Sequence, residues 1–233
     1  MTPNSLSTGC VLYLVYPVLP NLLILFARCP VPGRAKTRLC PPLTPVQAAA
    51  LQHALVLDAL ERFSDFTAHD FELHTDTLCL DAWPEYQVSR KLQIAGDLGL
   101  KMLHALETAL RSGYSRVTII GSDAPTLPLG HIAALVAADA HVSLGPALDG
   151  GYYAISASAV SARMFDNVRW STGFALQDTE SAIRRCGMTS VRGALWSDVD
   201  EPADLQSLLA DPENLPTHTR RWLQHLHHSN AVP

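Results

Sequence analysis

The residues of this chain with chemical capacity fall into a basic loop near its start and a set of aspartates beyond it. Residues 26–39 carry Arg28, Arg34, Lys36 and Arg38 around Pro30, Pro32 and Gly33, directly after the apolar run 22–25. A buried strand opening into such a loop is suited to hold an anion. Gly33 lets the backbone come close to a phosphate, and the lysine and arginines offer charge-assisted donors. A solvated basic loop would read the same way, so the acids carry the decision. Asp123, in Gly121-Ser122-Asp123-Ala124-Pro125, can offer oxygen to a hard divalent cation, although an Asp in a turn is the plainer alternative. In Asp198-Val199-Asp200-Glu201-Pro202-Ala203-Asp204, alternation puts Asp198 and Asp200 on one side of an extended segment. Asp204 belongs instead to the first turn of the next helix, where the macrodipole favours an acid. Asp149, in Asp149-Gly150-Gly151-Tyr152-Tyr153, is a hairpin signal and also a candidate acceptor contact or general base. Gln93 and Gly96-Asp97-Leu98-Gly99 precede a helix. Its free amides could meet a base edge or phosphate, while Asp97 could simply cap it.

Apolar β-branched runs and helical segments alternate along the chain, the pattern of an α/β sheet. Strands are expected over 22–27, 71–75, 117–120, 141–144 and 189–195. Helices are expected over 45–63, opened by Thr44 and Pro45, and over 98–110, 129–140, 172–186 and 202–209. Most of the candidate residues follow one of these strands, at the edge where open α/β sheets bind ligands. Residues 1–20 read as an extension, 21–212 as one domain and 213–233 as a helical tail whose histidines make a solvated surface.

The 233 residues are 48% hydrophobic and 17% charged, enough for a sizeable core. A net charge of −5 leaves no basic surplus for nucleic acid. The apolar stretch 11–19 is too short to span a bilayer and is broken by Pro17, and it lacks the marks of a secretory signal. Five cysteines with no Cys-x-x-Cys pair point to reduced thiols in a cytoplasmic protein rather than to a disulfide or zinc framework.

Taken in order, Pro-x-Pro-Gly-x-x-Lys-Thr-Arg-Leu, Gly-Asp-Leu-Gly, Gly-Ser-Asp-x-Pro, Asp-Gly-Gly-Tyr-Tyr, Trp-Ser-Thr and Asp-x-Asp-x-Pro-x-Asp-Leu resemble the bacterial GT-A-fold family of arsenosugar-biosynthesis-type glycosyltransferases. The resemblance runs from about residue 22 to 209. More distantly, the Ala35–Leu39 and Asp198–Leu205 segments are similar to 2-phospho-lactate and molybdenum-cofactor guanylyltransferases. The resemblance implies a three-layer α/β/α fold with a mixed, mostly parallel sheet of nucleotide-diphospho-sugar transferase type. It implies a nucleotide set of Ala27, Arg28, Gly33, Lys36, Arg38, Gln93, Gly96, Asp97, Gly99 and Ser122. Asp123, Asp200 and Asp198 would hold Mg²⁺ or Mn²⁺, and Lys36 and Asp149 would act in catalysis. Arg28 stands where many relatives carry Lys, and Leu100 where an acid is commoner. The implied activity is glycosyl transfer from a nucleoside diphosphate-sugar to a small-molecule acceptor. The alternatives are nucleotidyl transfer from a nucleoside triphosphate to a phosphorylated small molecule, or a non-catalytic nucleotide-binding module. Neither nucleic acid nor a membrane is an expected partner, and a homodimer is compatible with the chain.

Overall fold

The computed structural model describes residues 21–229 apart from 65, 67, 68 and 80, so the extension 1–20 lies outside the described residues. Seven strands form one sheet: β1 (Asn21–Ala27), β2 (Asp70–Thr75), β3 (Ser89–Leu92), β4 (Arg116–Gly121), β5 (Val142–Pro146), β6 (Tyr152–Ala157) and β7 (Ser190–Arg192). Their order is β3-β2-β1-β4-β6-β5-β7, and only β6 runs against its neighbours. Six helices accompany the sheet: α1 (Pro45–Ser64), α2 (Leu98–Arg111), α3 (Leu129–Val136), α4 (Ala175–Arg185), α5 (Pro202–Ala210) and α6 (Thr217–Ser229).

The fold follows from the alternation in β1. Leu22 and Ile24 face α2 and α4, meeting Met102, Leu106 and Ile183. Leu23 and Leu25 face the opposite side, toward α1 and α3, where Phe63, Val56, Leu60 and Ile132 pack. A strand apolar on both sides must be covered on both, which makes three layers. The expected α/β/α fold with a mostly parallel sheet is what the chain adopts.

A separate apolar cluster joins Leu51 and Leu55 of α1 to Leu205 of α5 and Trp222 and Leu223 of α6, and it buries Val199. Asp58, buried on α1, holds α6 there. Its carboxylate accepts from the His218 and Thr219 backbone amides, both at 2.8 Å, and from Thr219 Oγ1 at 2.6 Å. Those amides belong to a first helical turn and have no acceptor of their own within the helix.

Several expected elements differ. The helix expected over 129–140 stops at Val136, and the Arg116 guanidinium donates to the Ala138 and Ala140 carbonyls beyond its end at 3.0 and 2.8 Å. The helix expected from residue 172 starts at Ala175. Thr172 Oγ1 donates to the Arg169 carbonyl and Ser171 is left-handed (φ 59°), so both form a turn. The last strand covers Ser190–Arg192 only. Edge strand β3 was not expected, its Ser-Arg-Lys-Leu sequence having no apolar alternation to give it away. The reduced-thiol expectation is corrected as well: Cys29 and Cys79 are joined as a disulfide with Cα atoms 5.9 Å apart, while Cys40 and Cys186 are free. The two cysteines are 50 residues apart and meet because parallel β1 and β2 end side by side.

Two outcomes follow from this packing. Asp58→Ala should cost about 3 kcal/mol, since three hydrogen bonds to one charged acceptor are lost together, and hydrogen exchange should quicken in α6 before the rest of the chain. Peptide mapping without reductant should recover Cys29 and Cys79 in one cross-linked species that reductant separates.

Candidate active site

Strands β1, β2, β3, β4, β5 and β7 point the same way, so their carboxyl ends share one edge. Every site residue singled out from the sequence lies at or just past one of those ends. Ala27 ends β1 and is followed by Arg28, Gly33, Lys36 and Arg38. Gln93, Gly96, Asp97 and Gly99 follow β3, and Ser122 and Asp123 follow β4. Asp149 follows β5, and Asp198 and Asp200 follow β7. β1 pairs with β2 on one side and β4 on the other, making their junction the topological switch point, where such sheets open a crevice.

Lys36 is the centre of the polar contacts at that junction. It is a left-handed residue (φ 49°) between the buried Ala35 and the short 3₁₀ turn Thr37–Leu39, and its side chain is only 3% exposed. Its ammonium lies 2.8 Å from Asp123 Oδ1 and donates to the Val199 carbonyl at 2.6 Å, with Asp200 Oδ1 at 3.8 Å. Arg38 takes the other oxygen of Asp200 at 2.7 Å. The Val199 amide in turn donates to the Asp123 carbonyl at 2.8 Å. Three segments distant in sequence are thereby locked together.

Two residues not anticipated from sequence brace the loops. Gln52, buried on α1, donates to Ser122 Oγ at 3.2 Å and to the Arg28 carbonyl at 3.4 Å, and Ser122 Oγ donates to Asp123 Oδ1 at 3.2 Å. Asp76, just after β2, accepts from the Cys29 amide at 2.8 Å. A signal for Gln52 existed: it is a polar residue on the stripe of α1 shared with Ala48, Leu51 and Leu55. Asp76 left none.

Val199 points into the core, so the alternating Asp198 and Asp200 both emerge. They part company there. Asp200 is committed to Lys36 and Arg38, whereas Asp198 faces other acids. Burial, and then the charges of Asp149 and Asp123, push the Asp198 carboxyl up to about 6 despite a backbone hydrogen bond and Lys36. Asp149 sits in the β5–β6 hairpin that its Asp-Gly pair signals, with Oδ1 accepting from the Gly151 amide at 2.8 Å. Gly150 there has φ 85°, and a Cβ would lie 2.3 Å from the Gly173 carbonyl, so only glycine fits. Asp204 occupies the first turn of α5, its carboxylate accepting from the Asp200 and Glu201 amides at 3.1 and 2.8 Å.

The Gln93–Gly99 segment stands apart. Asp97 caps α2, accepting from the Leu100 amide at 2.8 Å, and Gln93 Nε2 donates to the His74 carbonyl. A Cβ on Gly99 would fall 2.8 Å from the Trp170 ring, so this glycine lets that ring pack on the helix. Arg28 bonds the Arg34 carbonyl at 3.3 Å, and Gly33 is exposed. Among the described residues, no hydrogen bond or ion pair links the Gln93–Gly99 segment to Lys36 or Asp123.

Asp123, Asp198 and Asp200 do not bring three oxygens within 4.8 Å of one another. Among the described residues, that spacing occurs for Asp58, Glu61 and His218. Asp58, however, already accepts three hydrogen bonds as the anchor of α6. Asp198 and Asp123 repel each other without a full counter-charge, and Mg²⁺ is commonly held by one or two carboxylates, with phosphates completing the shell.

A family model described as "Uncharacterized protein conserved in bacteria (DUF2064)" matches residues 58–172. No curated protein matches the sequence. Among solved structures, the chain is similar to a Desulfovibrio desulfuricans protein provisionally assigned as a nucleotide-diphospho-sugar transferase, at 29% identity and TM-score 0.77 over 88% of this chain and 94% of that one. In fold it is similar to a cytidylyltransferase from Leptospira borgpetersenii, at 12% identity and TM-score 0.54 over 91% and 95% of the two chains. It also shares the fold of the bifunctional IspDF from Campylobacter jejuni, at 14% identity and TM-score 0.52 over 80% of this chain and 53% of that one. Among the described residues no helix is long and apolar enough to cross a membrane.

The raised Asp198 sets a pH-dependent test. Well below pH 3.8 the group is neutral in folded and unfolded chains alike and changes nothing. Between about 4 and 6 the unfolded carboxyl ionises first, so stability falls as pH rises, and the penalty is constant above 6. Asp198→Asn should therefore come close to the wild type in urea unfolding at pH 3 and exceed it at pH 7. The gain should be about 1 kcal/mol, because solvent screening at this partly exposed site cuts the roughly 3 kcal/mol of full burial.

Proposed function

We propose that this chain is a metal-assisted transferase that binds a nucleoside diphosphate-sugar and passes the sugar to a hydroxyl of a small acceptor. The observation that carries the reading is the meeting of Lys36 and Arg38 with Asp123, Asp198 and Asp200 at the switch point of the sheet. The similarity to the Desulfovibrio protein over nearly the whole of both chains supports the same class. Among the described residues Arg38 is held only by the Asp200 carboxylate, which a bound diphosphate could displace, while Lys36 keeps the Val199 carbonyl beside its carboxylates. Asp123 and Asp198 would hold Mg²⁺ or Mn²⁺, with Asp200 positioning the two cations. The metal, when bound, supplies positive charge against the departing diphosphate oxygens, commonly a large contribution to such transfers.

In this reading the acceptor oxygen forms a bond to the anomeric carbon, and the bond from that carbon to the diphosphate breaks with its electron pair going to the leaving group. The acceptor proton passes to the free oxygen of Asp149, which stands on a hairpin fixed by Gly150 and beside Asp198. Gln93 and the Gly96–Gly99 turn, past β3 on the same edge, are assigned to the nucleotide base, with Ala27, Arg28, Gly33 and Ser122 along its phosphates.

The test is a thermal-shift panel of nucleotide sugars and nucleoside triphosphates with Mg²⁺, Mn²⁺ or chelator. A ligand at 100 times its dissociation constant should stabilise the chain by about 2.7 kcal/mol, and only with metal. Asp123→Asn should weaken this at least tenfold without unfolding the chain. Turnover should release a nucleoside diphosphate. Pyrophosphate released from a triphosphate, with no diphosphate from a nucleotide sugar, would overturn the choice in favour of nucleotidyl transfer.

A further inference from the structure

A cavity of about 240 Å³ opens beside the carboxylates, between the β5–β6 hairpin, the 197–199 segment and α5 with the turn that follows it. At ~30 Å³ per water it has room for on the order of eight waters, suited to a small polyol and below the ~300 Å³ where typical ligand pockets begin. Its wall includes Asp198 and Val199, and Val199 also receives Lys36, so one short segment borders both the cavity and the cationic cluster. Leu148, next to Asp149, forms another part of the wall. The cavity therefore begins where the proposed reaction would need an acceptor.

Its chemistry is one-sided. Leu148, Leu208 and Leu215 offer apolar surface, while Asp198, Asp204 and Asp211 offer carboxylates, and no Lys, Arg or His contributes to the lining. Two of the acids are held by hydrogen bonds. Asp204 accepts from two backbone amides in the capping box of α5, and Asp211 accepts from Asn214 Nδ2 at 2.7 Å. Such a wall matches the C–H faces and hydroxyl donors of a polyol. It offers a phosphate no basic side chain, and Asp204 and Asp211, away from the Asp123 side, meet it with like charge.

We infer that this cavity is the acceptor site and that it takes a neutral or cationic polyhydroxylated molecule of about monosaccharide size, excluding phosphate esters. The inference rests on the transferase reading for its role in turnover, but the ligand preference of the cavity is measurable without turnover. It also separates the two enzyme classes, since nucleotidyl transfer as considered above needs a phosphorylated partner.

The experiment uses the full chain with Mg²⁺ and uridine diphosphate. Glucose, glucosamine and glucose 6-phosphate serve as probes in ligand-observed NMR titration. Glucose or glucosamine should bind at least tenfold more tightly than glucose 6-phosphate. Ser207→Trp, a change on the exposed side of α5 that projects bulk into the cavity, should weaken the neutral probe at least tenfold. Asp211→Lys places a cation at the carboxyl end of α5, where the helix dipole welcomes it. It should raise glucose 6-phosphate binding at least tenfold, giving a gain that misfolding cannot mimic. Equal or tighter binding of glucose 6-phosphate to the wild type, no binding of either unphosphorylated probe, or indifference to both substitutions would overturn the inference. A missing metal-dependent nucleotide shift, with the probe preferences intact, would instead sink the transferase reading and leave the cavity's specificity standing.

Discussion

A buried ammonium cannot be left without partners, and Lys36 is the group through which this molecule meets that constraint. Its side chain is almost wholly removed from solvent, so the desolvation cost must be offset by acceptors in good geometry. Those acceptors come from the far side of the switch point: Asp123 after β4 and the Val199 carbonyl before α5. The requirement reaches further back into the chain. Lys36 is left-handed, a conformation costing roughly 1–2 kcal/mol for a non-glycine residue. It is held there because Ala35 and Leu39 on either side are buried. Strain of this kind persists only where surrounding packing over-determines it, and it gathers at working sites.

The acids around Lys36 follow a second logic, in which charge is placed where it costs stability. Lys36 and Arg38 answer Asp123 and Asp200, but Asp198 and Asp149 add negative charge beyond what those cations neutralise. An arrangement selected for the empty state alone would put an amide at Asp198. Retaining a carboxylate there makes sense if a cation joins the site during use, because the repulsion that raises the Asp198 carboxyl turns into shared coordination. The same logic distinguishes this edge from the Asp58–Glu61–His218 group. There the Asp58 carboxylate is already engaged by three donors of α6.

How much of this could be read from sequence depends on the range of the interaction that decides each feature. Local patterns were informative: the apolar alternation of β1, the Thr44-Pro45 start of α1, the Asp97 cap and the Asp-Gly hairpin all act within a few residues. Strand ends could be located as well, so the shared edge of the candidate residues was foreseeable once the sheet was taken as mostly parallel. Features decided by partners distant in sequence were not. Arg116 takes two carbonyls just beyond α3, and neither segment advertises the other. The Cys29–Cys79 bond depends on β1 and β2 ending in register, which cysteine spacing does not encode. Polar edge strand β3 is recruited by pairing with β2 rather than by its own pattern.

The division of labour between Asp198 and Asp200 shows where pattern reasoning stops and geometry takes over. Alternation about a buried Val199 requires that both emerge from the core, and it treats them alike. The surroundings break that symmetry. Arg38, extended by the 3₁₀ turn after Lys36, reaches Asp200 and commits it to cation binding within the protein. Asp198 borders the cavity, whose lining holds no basic side chain, and lies near Asp149, so the pull of Lys36 does not offset its surroundings. Two carboxylates two residues apart are thus placed differently, one holding Lys36 and Arg38 and the other left under-neutralised. A motif with two aspartates specifies how many charges reach the site, while the neighbouring loops decide which charge is available for chemistry.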